Sequence, residues 1–315
     1  MVDKPLVVLV GPTASGKTAL SLLLAESFGG EIVSCDSVAV YQRLDVGSAK
    51  PSSQERARVP HHCLDLYAPD EHPTAGDYAR HARAALDEIS TRGKLPILAG
   101  GTGLYLRATL EGLAPAPLRD EGLRERLRKR AEARGPGYLH RVLARLDTRA
   151  AAAIHANDTP KLIRSIEVSL AGRKPQTEQW QAGREALQGY RVLKLGLDVP
   201  RARLYERINE RAAAMFDRGL LAETEAIRAE FGDDARGLTT LGYLQSLQLL
   251  RGETERNAAL AEVQQGHRNY AKRQMTWFRR DKDIQWLAGS GDESLVQGEA
   301  LDAVRNFLGT VSPKA

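Results

Sequence analysis

The chain begins with a short unbroken apolar run, Pro5-Leu-Val-Val-Leu-Val10, rich in β-branched residues and stopped by Gly11-Pro12. Such a run without alternation predicts a strand buried on both faces of a parallel sheet. From about Thr18 the spacing becomes helical, with Ala19, Leu22, Leu23 and Ala25 on one face and Gly29-Gly30 closing it. A second run, Glu31-Ile-Val-Ser-Cys35, ends at Asp36, and a third, Leu95-Pro-Ile-Leu-Ala99, ends at Gly100-Gly101, with helical spacing from Tyr78 to Thr91 between them. Strands alternating with helices predict an α/β domain whose ligands lie at the carboxyl ends of the strands.

After Pro115-Ala-Pro117 the pattern changes. The charged stretch Arg119 to Arg134, then Tyr138 to Ile154 and Pro160 to Leu170, all read as helix with periodic apolar positions, which predicts a helical insertion rather than a linker. Tyr190-Arg-Val-Leu-Lys-Leu-Gly-Leu197 returns the chain to the sheet, and Arg201 to Asp281 reads as helical, including the long segment Asn257 to Phe278. The expected division is a core of residues 1–112 and 189–290, an all-helical insertion of 113–188 and a tail of 291–315 with little readable pattern.

With 315 residues, 42% hydrophobic and 27% charged, the composition excludes disordered and fibrous classes. The net charge of +5 permits a polyanionic partner without demanding one. Two cysteines, Cys35 and Cys63, are too few for a disulfide framework, and no early apolar run approaches a signal or membrane span. A soluble cytoplasmic protein is the expectation.

Gly11-Pro-Thr-Ala-Ser-Gly16-Lys17-Thr18 fits G-x-x-x-x-G-K-[ST] and stands between a predicted strand and helix, where that pattern must stand. Backbone N–H groups and the helix N-terminus form an anion nest, Lys17 adds positive charge, and the Thr18 hydroxyl is a candidate Mg²⁺ ligand. P-loop hydrolases normally add an acid on a second strand, yet Leu95 to Ala99 runs into Gly100-Gly101-Thr102-Gly103 with no acid. The acid ends the other strand instead, at Asp36, followed by Ser37. It can serve as a general base toward an acceptor or as a helix N-cap, with Ser37 as a second capping candidate.

His267 to Lys282 holds six Lys or Arg and one acid, with Tyr270, Trp277 and Phe278 interleaved. On a helix, Arg268, Lys272 and Arg279 share one side and Tyr270 and Trp277 another, so the segment can bury aromatics and show cations to a polyanion; a solvated, packed helix is the alternative. The basic residues Arg124, Arg126, Arg128, Lys129 and Arg130, mixed with glutamates, read as a solvated face. His61-His62-Cys63 with Asp65 lacks the separated ligand pairs of a zinc site and reads as a loop with a short strand. Arg207 and Arg211 lie at i and i+4, where spacing alone favours surface pairs with Glu206 and Glu210. Trp180 and Trp286 read as packing residues.

Together these segments resemble the tRNA dimethylallyltransferases, also called tRNA isopentenyltransferases. The resemblance is carried by Gly11 to Thr18, Ser34-Cys-Asp-Ser-Val-Ala-Val-Tyr41 and Leu44-Asp-Val-Gly-Ser-Ala-Lys-Pro51. It continues through Ile97 to Tyr105, His155 to Arg164, Arg207-Ile-Asn-Glu-Arg211, Gly242-Tyr243 and Tyr270 to Arg279, covering roughly residues 5 to 280. It implies a P-loop NTPase-like parallel sheet core flanked by helices with an all-helical insertion. It also implies transfer of the dimethylallyl group from dimethylallyl diphosphate to N6 of the adenosine next to the anticodon, position 37, of tRNAs reading codons that begin with U, with Mg²⁺.

By the same resemblance Gly11, Pro12, Thr13, Ala14, Ser15, Gly16, Lys17 and Thr18 hold the diphosphate, Asp36 accepts the N6 proton, and Thr13, Lys17 and Arg211 support the departing group. The tRNA anticodon stem-loop falls to Asp36, Ser37, Val38, Ala39, Gly103, Pro160, Lys161, Leu162, Ile163, Arg164, Lys272, Arg273, Gln274 and Arg279. A monomer without membrane attachment is expected. Departures are Ala39 where Gln is frequent, His267 where Thr is usual, and Gly47-Ser48 for Gly-Thr; no cysteine follows Cys63, so the zinc-finger extension of eukaryotic relatives is missing and a bacterial type is implied. Two other readings stay open: a P-loop kinase or prenyltransferase of free nucleotides, which leaves Tyr270 to Arg280 unexplained, and an RNA-binding protein with a relic phosphate loop, which leaves Lys17, Thr18, Asp36 and Arg211 unexplained.

Overall fold

The computed structural model describes residues 3–114, 117, 119–179 and 185–309. They form two compact units, Met1–Leu110 with Leu187–Ala315, and Glu111–Ala186. The first begins with β1 (Lys4–Val10), α1 (Lys17–Phe28), β2 (Gly30–Cys35), α2 (Ser53–Arg58), β3 (His61–His62), α3 (Ala75–Thr91), β4 (Leu95–Gly100) and α4 (Gly103–Leu110). The second holds α5 (Glu121–Arg134), α6 (Tyr138–Leu146), α7 (Thr148–Ala153), α8 (Thr159–Gly172) and α9 (Gln176–Gln179). The first unit resumes with β5 (Tyr190–Asp198), α10 (Arg201–Asp217), α11 (Leu220–Phe231), α12 (Tyr243–Leu250), α13 (Arg256–Phe278), β6 (Ile284–Ala288) and α14 (Ser294–Gly309).

The sheet is parallel throughout, in the order β3-β2-β4-β1-β5-β6. Its central strand shows why the first apolar run lacks alternation. Leu6, Val8 and Val10 enter one apolar cluster with Tyr78, Leu98 and Phe278, while Val7 and Leu9 enter a second with Leu20, Leu195 and Val304. Helices cover both faces, and each fully buried Leu or Val there contributes about 1.5–3 kcal/mol. The carboxyl ends of β2, β4 and β1 lie side by side. Gly100 permits this approach, because a Cβ there would lie 2.1 Å from the Cys35 carbonyl oxygen. Gly101 N–H and Thr102 N–H both donate to that oxygen, at 3.1 and 3.2 Å.

Besides the short helices α2, α4 and α9, two further elements escape the sequence pattern. β6 follows the segment read as helical, and α14 occupies 294–309 in what was set apart as a tail, burying Val296, Ala300 and Val304 in the second cluster. Their signals are weak because β6 is five residues long and α14 buries a single narrow stripe. Trp286 packs partly buried against the first cluster, whereas Trp180 and residues 310–315 lie outside the described residues.

The helical unit has a core of its own, built from Leu127, Leu139, Leu143, Leu162, Ile163 and Ile166. At its centre the Glu167 carboxylate accepts from Arg124 at 3.0 and 2.9 Å, from Asp120 N–H at 2.7 Å and from Arg164 at 2.5 Å. Burial alone raises this carboxyl, but those bonds outweigh it and hold it down to about 2. Arg124 is thereby removed from the solvated face on which its charged neighbours left it.

Candidate active site

The phosphate loop joins β1 to α1 as its pattern requires. Gly16 caps α1 in the left-handed region, at φ 84°, and a Cβ there would lie 2.7 Å from the Gly291 nitrogen, so backbone and packing both demand glycine. No side chain caps this helix N-terminus, which leaves its first-turn N–H groups directed at the cleft. The loop is braced from outside. Gly291 N–H and Ser290 Oγ both donate to Ser15 O, at 2.9 and 3.1 Å, and Arg207 Nε donates to Ala14 O at 2.9 Å while its Nη1 pairs with Asp292. Lys17 folds back to donate to Gly11 O and Pro12 O at 3.0 and 2.6 Å. Burial first, then the charge of Arg211, push its ammonium down to about 7 against the pull of Asp36.

Asp36 stands at the end of β2 in the same cleft. Its Oδ1 accepts from Val38 N–H at 2.8 Å and Ala39 N–H at 3.2 Å, so it caps a tight turn rather than the helix the N-cap reading required, and the carboxylate still lines the cleft. Arg211 reaches into the cleft from α10 rather than pairing with its helix neighbours. It donates to Ser48 O at 3.4 Å, its Nε is buried without a partner, and burial lowers its pKa against the opposing charge of Asp36. The surface reading of Arg207 and Arg211 is therefore corrected, since both serve the phosphate loop and the cleft. The cleft encloses about 920 Å³ and is lined by Thr13, Lys17, Thr18, Asp36, Arg211 and Tyr270 among others.

Gln274 also departs from expectation. It is 5% exposed and forms a strut, its Oε1 accepting from Thr13 N–H at 2.8 Å and its Nε2 donating to Gly101 O at 2.9 Å. It belongs to the framework of the loop and lines the cleft. Leu162 and Ile163 are likewise core residues of the helical unit, 1% and 4% exposed, and Ala39 is buried with its N–H given to Asp36. Pro160 and Lys161 are exposed, Arg164 is bound to Glu167, and Ser37 N–H donates to the Thr102 hydroxyl at 3.0 Å.

On α13, Lys272 and Arg273 are exposed, and beyond its end Arg279 is exposed with a pair to Asp198. Phe278 is the aromatic that buries, in register with Ala271 and Gln274, while Trp277 stays 38% exposed against Gly103. Arg268 leaves the cationic row for Asn209. His62 binds Glu31, His61 binds Val59 O and Asp65 binds Lys50 and Arg56; among the described residues no three His, Cys, Asp or Glu converge on a metal position. For Mg²⁺ the donor set fits differently. The exposed Thr18 hydroxyl lines the cleft at the loop, and Mg²⁺ bound with a diphosphate needs only one or two protein oxygens.

A parallel sheet whose first strand feeds G-x-x-x-x-G-K-T into a helix, with a carboxylate and a second cation across the cleft, defines a P-loop protein. A family profile described as IPP transferase matches residues 39–281, and one described as Isopentenyl transferase matches 4–65. The tRNA dimethylallyltransferase of Koribacter versatilis (strain Ellin345) is 58% identical over 97% of this chain and 99% of its own. The solved full-length tRNA isopentenylpyrophosphate transferase from Bacillus halodurans aligns with TM-score 0.70 at 33% identity, over 98% of this chain and 96% of that one. A structure described as eukaryotic dimethylallyltransferase acting on tRNA shares the fold at TM-score 0.80 and 24% identity, over 99% and 81% of the two chains. The chain belongs to the IPP transferase family. Among the described residues no helix is long and apolar enough to cross a membrane.

Proposed function

We propose that this chain transfers the dimethylallyl group of dimethylallyl diphosphate to N6 of adenosine 37 in tRNAs reading codons that begin with U. The observation that carries the reading is the single cleft in which the phosphate loop, Lys17, Arg211 and the carboxylate of Asp36 act electrostatically on one another. The phosphate loop and its cations bind the diphosphate. Asp36 takes the N6 proton as the amino nitrogen bonds to the allylic carbon, which compensates for a lone pair delocalised into the ring. As the allylic C–O bond breaks, charge grows on the diphosphate, and the Thr13 region, Lys17 and Arg211 stabilise it as it leaves. Mg²⁺, held by the Thr18 hydroxyl, would neutralise part of the diphosphate charge. The acceptor adenine leaves its stack to reach Asp36, while Lys272, Arg273, Pro160 and Lys161 face the RNA.

Support against a kinase comes from β4, which ends in Gly100-Gly101 without an acid. The test is incubation with Mg²⁺, radiolabelled dimethylallyl diphosphate and unmodified tRNA, with AMP, ADP and ATP as rival acceptors. Label at adenosine 37 is the expected result. Label confined to free nucleotides would transfer the site to small-molecule chemistry, and tRNA binding without any transfer would make the loop a relic.

A further inference from the structure

His267 lines the same cleft, on α13 and beside Arg211 of α10, and no step above uses it. Residues flanking it in sequence tie the two helices together: Gln264 Nε2 donates to Asn209 O at 3.3 Å and Arg268 Nη1 donates to Asn209 Oδ1. One turn further on, Ala271 packs in the small cluster that includes Ala14 of the phosphate loop. Nε2 of His267 is buried without a partner, and so is Nε of Arg211.

Such atoms are rare in folded proteins and cost affinity or stability until something satisfies them. A guanidinium N–H can only donate. Burial, reinforced by the Arg211 charge, drives the imidazole down to about 4, so the ring carries one N–H and no charge at neutral pH. In its Nε2–H tautomer the ring adds a second donor to that of Arg211 in the cleft, and two donors without partners call for an oxygen bearing negative charge. We propose that His267 Nε2–H donates to a diphosphate oxygen of the prenyl donor beside Arg211 Nε–H, which makes His267 a ligand-binding residue. The inference rests on the diphosphate reading of the cleft.

Isothermal titration of inorganic pyrophosphate with Mg²⁺ into the full-length protein tests it. His267→Leu should bind about tenfold more weakly. His267→Gln places an amide N–H the same three bonds from Cβ and should recover affinity to within about threefold of the parent. His267→Asn, whose amide stops one bond short, should resemble the leucine variant, and the Gln and Asn pair decides the matter should His267→Leu fail to fold. Parent-like affinity in His267→Leu overturns the inference, as does equal weakening in all three variants at unchanged Tm, which would assign the ring to packing. If the parent binds no pyrophosphate, or Lys17→Ala binds it equally well, the diphosphate reading fails and takes the inference with it.

Discussion

Lys17 with its ammonium held down to about 7 is only half charged at neutral pH. An anion bound in the loop favours the charged form and raises that pKa, so above pH 7 diphosphate binding must take up a proton. Pyrophosphate affinity should fall as pH rises from about 7, by up to about tenfold per unit. Titrations at pH 8 in buffers of different ionisation enthalpy should reveal the uptake, and Lys17→Met should abolish it; zero uptake by the parent would sink the idea. In the unliganded protein the sign runs the other way, since the unfolded chain holds this proton up to about pH 10.5 and stability rises with pH from about 7. Asp36 calls for a different substitution. Because Oδ1 also caps the Val38–Ala39 turn, alanine would remove turn and base together. Asp36→Asn keeps an acceptor and should lower kcat by about 10²-fold or more, with Tm and tRNA affinity nearly unchanged. A matching loss of tRNA affinity would make Asp36 a binding contact.

At the level of elements, α13 carries both faces of the problem: Gln274 inward to Thr13 and Gly101, Lys272 and Arg273 outward. Replacing Lys272 and Arg279 by alanine should weaken tRNA binding and reduce the slope of log K against log salt by about one to two units. The lower figure applies if Asp198 already neutralises Arg279, and an unchanged slope would return this segment to a packing role. The phosphate loop, β2 with its terminal Asp36 and the helical insertion are all legible in the sequence, because strong periodicity and local glycine geometry specify them. The brace Ser290-Gly291-Asp292, the Gln274 strut and the unpartnered His267 are not, since each depends on what lies opposite in space. Leu162 and Ile163 show the converse: the family resemblance assigns residues 160–164 to the RNA, but helical periodicity sends two of them into the core.

The whole chain is one sheet-bearing unit interrupted by an independent helical one, and the interruption is narrow. Leu187 N–H donates to Leu110 O at 2.8 Å, so the strands of chain entering and leaving Glu111–Ala186 are adjacent on the first unit itself. Arg83, also of that unit, donates to the carbonyls of Thr109 and Ala108 and so closes the end of α4. All residues lining the cleft belong to the first unit, and Glu167 binds its partners inside the second. Replacing residues 111–186 with a linker of about four residues, the usual span between adjacent chain ends, should therefore leave a cooperatively folding core. That core should bind pyrophosphate within about threefold of the parent, since the loop, Lys17 and Arg211 are intact. On the proposed function, transfer to tRNA should drop by about 10²-fold, because Lys161 and Pro160, which that proposal gives to the RNA, leave with the insertion. A core that folds but loses pyrophosphate would mean the helical unit completes the diphosphate site, and a core that still modifies tRNA at the parent rate would place all RNA recognition on α13 and the cleft rim.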